Sequence, residues 1–371
     1  MKNIIYKFLL SVSVSLILTN TCLPQEQPKI LFLSPEPPEN IFWGQVIKFL
    51  EAVAEDLDVN LEVVAAPVSS SYVLRRKAMQ IISRKNKPDY ILTGYWVGTT
   101  DSLFEAAKKT DTKFFLFNTG ITPSERQLVG YPRGQYPNWI GHMQPNDSEA
   151  GHMLADILAN RAREKQFSGK LGIAALAGSE LNPVSIERLR GLQQYIDHNT
   201  DLELKQTLNT TWSRESAIKA TEKILIDNPD VSIIWAVADA LVLGGVEAIK
   251  QMNKQPGKDI ILGGFNWSDE GLAAVKSGTS TATIGGHFME AGWALIQVYD
   301  YHNGIDFTKD PGISSVTQMH AITAENLQAY TSRLGDKNWN KIDFKKFTKT
   351  HNPDLKKYDF SLEAILESLN E

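Results

Sequence analysis

The chain has 371 residues, 42% of them hydrophobic and 22% charged, which is enough for two domains with sizeable cores. Its formal charge is −5, and losing Lys2 and Lys7 with an N-terminal segment makes it more acidic still. No basic excess is available to hold a nucleic-acid backbone, so nucleic acid is excluded as a partner.

Residues 1–24 read as an export signal. Lys2 and Lys7 precede an apolar stretch from Phe8 to Leu18, broken only by serines and ended by Pro24. That stretch is shorter than the roughly 20 residues that span a bilayer. A periplasmic location is expected. The single cysteine, Cys22, sits at the end of this signal. Thr19-Asn20-Thr21 before it is a poor match to the small-residue pattern of lipid-anchor processing, so the anchor is disfavoured. One cysteine leaves no intramolecular disulfide, and the cores must hold the fold alone.

From there, apolar β-rich runs alternate with helical periodicity. Strands are expected at Lys29–Leu33, Leu61–Ala65, Tyr90–Thr93, Phe114–Phe117, Leu171–Ala175, Ser232–Ala236, Ile260–Phe265 and Thr281–Ile284. A helix is expected from about Phe42 to Leu57. Another carries Ala150, Met153, Leu154, Ile157 and Leu158 on one face, with Asn146 and Glu149 at its start. Repeated strand–helix units predict an α/β fold with doubly wound parallel sheets. The stretch Thr119–Trp139, rich in Gly, Pro and Tyr, marks the expected break between them. Residues 331–371 form a C-terminal extension, expected to lie on the surface, with a short helix starting at Ser361.

Enzyme motifs are absent: there is no Gly-x-Ser-x-Gly elbow, phosphate loop or His-Glu-x-x-His. The seven histidines have no metal-ligand spacing. Neither catalysis, metal nor cofactor is expected. What remains is a set of ligand-type side chains placed after strands, where open α/β sheets hold small molecules.

Phe42 and Trp43 follow the first strand and can present a flat apolar face, or can staple the helix to the sheet. Tyr95 and Trp96 are adjacent, so in an extended chain only one of them faces the crevice. Asn118 offers donors and an acceptor, or caps a turn. Arg188 and Arg190 face different directions; Arg190 is favoured for the crevice and Arg188 for the surface. Asp239, at the end of a buried strand, is the leading ligand contact, with a helix cap as its alternative. Asn266, Trp267 and His287 complete the candidate set.

Pro88-Asp-Tyr-Ile-Leu-Thr93, Glu187-Arg-Leu-Arg-Gly191, Asp239-Ala-Leu-Val-Leu-Gly-Gly245, Gly263-Gly-Phe-Asn266 and Ala282-Thr-Ile284 occur in this order and spacing. In them the chain resembles the type I periplasmic solute-binding proteins, the ribose- and galactose-binding group, over Lys29 to Asn326. The resemblance implies two Rossmann-like lobes with parallel sheets joined by a three-crossover hinge. The first lobe is expected at 28–120 plus 268–312 and the second at 121–267 plus 313–330. Asp239 matches the family's hydroxyl-binding acid, Asn266 stands where many members carry Asp, and Gly286 stands where sugar binders often carry Gln. Phe42-Trp43, Asn118 to Pro123 and the long C-terminus also resemble LuxP-like periplasmic receptors, whose ligand contacts match Trp43, Asn118, Arg190 and Asp239. Pro38 and Gly286 replace two further polar contacts.

The resemblance implies a monomeric periplasmic substrate-binding protein. It would capture a small polar, sugar-like ligand between its lobes and hand it to the permease of an ABC importer. One alternative is a sensing subunit for a membrane sensor kinase or cyclase. Another is a secreted α/β enzyme using Asp239 with a nearby histidine.

Overall fold

The computed structural model describes residues 26–66, 71–96, 98–167 and 169–369. The expected signal at 1–24, with Cys22, lies outside the described residues. In chain order the first elements are β1 (Lys29–Ser34), α1 (Trp43–Asp56), β2 (Asn60–Ala65), α2 (Ser71–Ser83), β3 (Tyr90–Thr93), α3 (Thr100–Ala107), β4 (Lys113–Leu116), α4 (Pro123–Val129) and β5 (Trp139–Pro145). Next come α5 (Asp147–Glu164), β6 (Leu171–Ala177), α6 (Pro183–Asp197), β7 (Leu202–Asn209), α7 (Arg214–Asp227), β8 (Val231–Ala236), α8 (Asp239–Gln251), β9 (Ile261–Phe265), α9 (Asp269–Ser277) and β10 (Ala282–Gly285). The chain ends with α10 (Glu290–His302), β11 (Ser314–Thr317), β12 (His320–Thr323), α11 (Leu327–Leu334) and α12 (Leu362–Ser368).

The strands form two six-stranded sheets, ordered β11-β5-β4-β3-β1-β2 and β12-β10-β9-β8-β6-β7. All pairings are parallel except β10 with β12. The central strands are apolar throughout because helices cover both faces: β6 (LGIAALA) and β8 (VSIIWA) are buried along their whole length.

Up to β12 the chain passes between the sheets three times: at Asn146 between β5 and α5, at Gly286–Met289 between β10 and α10, and at Gln318–Met319 between β11 and β12. These positions correct the expected lobe boundaries. Residues 123–145 belong to the first lobe, since β5 pairs with β4, and 269–285 belong to the second, since β10 pairs with β9. β11 pairs with β5 and so also lies in the first lobe. The stretch 119–139 concealed this because α4 is a single short helix. It is fixed by a capping box between Thr122 and Glu125 with Pro123 at its start, not by apolar periodicity.

The C-terminal extension is no loose tail. α11 packs against α9 and β12 in the second lobe, with Tyr330 5.0 Å from the Trp267 ring. The chain then crosses to the first lobe, where Trp339 and Phe344 lie 5.5 and 5.4 Å from Phe49 of α1 and Phe360 stacks on Trp293 of α10 at 5.0 Å. Buried Asp300 anchors this strap. It accepts hydrogen bonds from the Lys349 and Thr350 amides at 2.8 and 2.9 Å, and from the Thr350 and Tyr358 hydroxyls at 2.6 and 2.7 Å.

Candidate functional site

The segment that follows β1 in one sheet faces the segment that follows β9 in the other across a cleft. Contacts cross this cleft: the Gln45 side-chain amide of α1 approaches the Asn266 carbonyl at 3.4 Å, and the Phe42 ring stacks on His287 at 4.8 Å and 22°. Phe42 continues into a row of aromatic rings: Trp43 lies 5.2 Å from it, and Trp96 6.3 Å from Trp43. Trp43 also packs on Phe32 beneath it, so it acts both as a floor of the cleft and as an anchor of α1. Of the adjacent pair, Trp96 is the half-buried cleft residue. Tyr95 points into the core among Leu31, Leu33 and Ile91, contrary to its place among the candidates, because neighbouring residues of an extended segment face opposite sides.

Asn118 adopts a left-handed conformation (φ 67°), and its amide donates to Glu290 Oε2 at 2.9 Å. Its side-chain Nδ2 is buried with no partner, as are Trp96 Nε1 and His287 Nδ1. The Trp96 ring lies near Thr119, the residue after Asn118, since a Cβ on Gly94 would meet both the Trp96 ring and the Thr119 hydroxyl. Burial and the Arg188 charge hold His287 far below the usual imidazole range, so its ring is neutral.

The arginine expectation is reversed. Arg190 is half exposed and pairs with Glu187 at 2.7 Å on the surface of α6. Arg188 is buried in the site: Nε donates to Asp147 Oδ1 at 2.8 Å, Nη1 donates to the Val237 carbonyl at 2.9 Å, and Nη2 lies 3.3 Å from His287 Nε2. Its guanidinium also covers the Phe265 ring at 4.3 Å. The reason is the close approach of α5 and α6. A Cβ on Gly191 would sit 1.8 Å from the Ser148 carbonyl, and one on Gly151 2.0 Å from that of Arg188. With the helices in contact there, the α6 face bearing residue 188 meets Asp147, and residue 190 turns to solvent.

Asp239 is also corrected. Its carboxylate is 1% exposed and already engaged: Oδ2 accepts from the Ser268 amide and hydroxyl at 2.9 and 2.8 Å, and Oδ1 from the Thr283 hydroxyl at 2.8 Å. Ser268 in turn caps α9 through Gly271. Asp239 therefore ties α8, α9 and β10 together beneath the cleft. Burial raises its pKa to about 6 against the pull of these donors. Trp267 is likewise structural. Its Nε1 donates to the Thr283 carbonyl at 3.0 Å, and its ring fills the space where Gly285 lacks a Cβ. Asn266 lines the cleft edge with a positive φ of 119°.

Asp147, Glu290 and Lys337 were not singled out from sequence. Asp147 and Glu290 stand at the first two crossovers. Lys337, in the strap, bridges the lobes: Nζ donates to Gln45 Oε1 at 2.9 Å and pairs with Asp269 at 2.7 Å. Among the described residues no cluster of histidine, cysteine or acidic side chains is arranged to hold a metal ion. No described helix is long and apolar enough to cross a membrane.

Residues 30–304 match the model of a periplasmic binding protein domain. The chain belongs to the periplasmic binding protein family. Curated relatives include a ribose import binding protein of Haemophilus influenzae, 30% identical over 40% of this chain and 47% of the relative. A xylitol-binding protein of Mycolicibacterium smegmatis is 29% identical over 52% of each. The chain spans about half the length of these curated relatives. A periplasmic sugar-binding protein from Pseudomonas fluorescens superposes with a TM-score of 0.82 at 25% identity, covering 91% of this chain and 99% of that one. A solute-binding protein from Actinobacillus succinogenes, solved with D-allose, superposes with a TM-score of 0.70 at 18% identity, covering 82% of this chain and all of that one, and shows the same fold. The two-lobe fold expected from sequence is thus borne out.

Proposed function

We propose that this protein is a non-enzymatic periplasmic receptor that closes its two lobes around a small polyhydroxylated solute, a sugar or polyol, and presents it to the permease of an ABC importer. The observation that carries this reading is the row Phe42–Trp43–Trp96 beside three buried polar atoms without partners, Trp96 Nε1, Asn118 Nδ2 and His287 Nδ1. Flat apolar faces suit the carbon face of a sugar ring, and convergent polar atoms suit its hydroxyls. The ribose and xylitol named for its relatives are solutes of this chemistry. Phe42, Trp43, Trp96 and Asn118 act from the first lobe, Arg188 and Asn266 from the second, and His287 from the crossover. A ligand touching both lobes favours the closed form by its differential affinity. The acid expected for an enzyme, Asp239, is occupied by Ser268 and Thr283, and the relatives described are named as binding proteins, so neither the enzyme nor the sensor reading is favoured.

The test is a thermal-shift panel of pentoses, hexoses and polyols, followed by calorimetry. A true ligand at a hundredfold excess over its Kd stabilises the protein by about 2.7 kcal/mol. No shift with any member of the panel, or chemical turnover of one, overturns the reading.

A further inference from the structure

Glu290 opens α10 immediately after the second crossover and is 1% exposed. Its Oε2 accepts the amide of Asn118, and its Oε1 is hydrogen bonded to the hydroxyl of Thr317, the last residue of β11 before the third crossover. One carboxyl thus joins two crossovers to the turn that carries a cleft residue. Asn118 has a left-handed backbone (φ 67°), which asparagine tolerates, and the bond to Glu290 fixes its N–H in that turn. We infer that Glu290 is a positioning residue: by holding the backbone N–H of Asn118 through the hinge, it sets the Asn118 side-chain amide for the ligand. This rests on the receptor reading above.

The surroundings also link the charge of this carboxyl to closure. Asn118 and Thr317 belong to the first lobe with Glu290, whereas Asp147 of α5 and Arg188 of α6 approach from the second. Burial and the Asp147 charge raise the Glu290 pKa to about 8, against the pull of Thr317, Asn118 and Arg188. Nearby His142 of β5 bonds the Thr119 carbonyl and is pushed down to about 3, and His287 is neutral, so neither supplies a compensating cation at neutral pH. With the lobes in contact as here, burial and Asp147 favour the protonated carboxyl. It can then accept from Asn118 and donate to Thr317. Opening admits water and withdraws Asp147, which returns the group toward the ordinary carboxylate range. Closure takes up a proton between those limits, and affinity falls as pH rises through that window, by at most about tenfold per pH unit.

The experiment compares the wild type with Glu290→Gln and Glu290→Ala from pH 5 to 9. Glutamine reproduces the protonated carboxyl, with its carbonyl oxygen accepting from the Asn118 N–H and its amide NH2 donating to the Thr317 hydroxyl. The expected result is wild-type affinity for a sugar or polyol from the panel that weakens with rising pH, a pH-independent affinity in Glu290→Gln, and at least about tenfold weaker binding in Glu290→Ala. A ligand-free readout is hydrogen exchange of the Asn118 amide, slow in wild type and Glu290→Gln and at least about tenfold faster in Glu290→Ala. Parallel pH profiles for wild type and Glu290→Gln, or unchanged Asn118 exchange in Glu290→Ala, overturn the inference. A panel without a ligand overturns the receptor reading instead, and the exchange measurement still decides the role of Glu290.

Discussion

Arg188 Nε and Asp147 Oδ1 meet at 2.8 Å with both side chains almost wholly buried, joining the middle of α6 to the first crossover. The pair places a guanidinium under the cleft beside His287 at the point where the chain changes lobes. Burial pushes Asp147 upward in pKa and Arg188 pulls it down. Replacing Arg188 with alanine leaves Asp147 buried and unpaired. Arg188→Ala is expected to lose about 3–5 kcal/mol of stability in urea unfolding and most ligand affinity. Arg190→Ala, which removes only an exposed pair with Glu187, should change stability by less than about 1 kcal/mol and leave binding intact.

Asp239 yields a prediction opposite to that of a ligand contact. Asp239→Ala strips partners from the Ser268 amide and hydroxyl and from the Thr283 hydroxyl, and should cost about 2–4 kcal/mol in chemical denaturation. Its pKa is raised from the usual 3.8 to about 6, so ionisation weakens the fold. The stabilisation it gives is complete below pH 3.8 and declines as pH rises through about 6, a trend that Asp239→Asn should flatten. At a temperature where Asp239→Asn remains folded, its affinity for ligand should stay within about threefold of wild type. A greater loss would return the residue to the site.

The aromatic row can be tested one ring at a time. Trp96→Ala should weaken binding by about 1–3 kcal/mol, measured by calorimetry. Tyr95→Phe, its core-facing neighbour, should leave affinity unchanged.

Lys337 holds both lobes, through Gln45 in one and Asp269 in the other. Lys337→Ala should favour the open form, seen as a faster ligand off-rate in stopped-flow with little change in thermal midpoint. Asp300→Ala removes the acceptor for four donors of the strap and should cost about 3–5 kcal/mol, with early proteolytic cleavage in 349–360.

Continuous apolar runs made the central strands legible, and the period of α1 gave its extent to within a residue or two. β5 was missed because WIGHMQP mixes Gly, His and Pro into a buried strand, and β7 because LELKQTLN is a half-exposed edge. The site was legible as a set of positions after strands, not as orientations. Two spacings decided the errors. Residues 188 and 190 differ by about 200° around a helix, and only the packing of Gly151 and Gly191 reveals which one turns inward. Asp239 sits where a ligand acid would stand, yet its partners Ser268 and Thr283 come from distant segments that no local pattern connects to it. The extension was read as surface because its rings are spread among lysines. Their burial against Phe49 and Trp293 is a tertiary fact.

The strap also dictates an order of assembly. Asn340 bonds Glu55 across 285 residues, and the rings that cover Phe49 and Trp293 arrive with the last part of the chain. No N-terminal fragment can complete the first lobe, whereas β6 to β10 of the second lie in one uninterrupted stretch. The aromatic interior of the first lobe around Phe49 and Trp293 is therefore shielded from water only once residues 339–360 have docked on it.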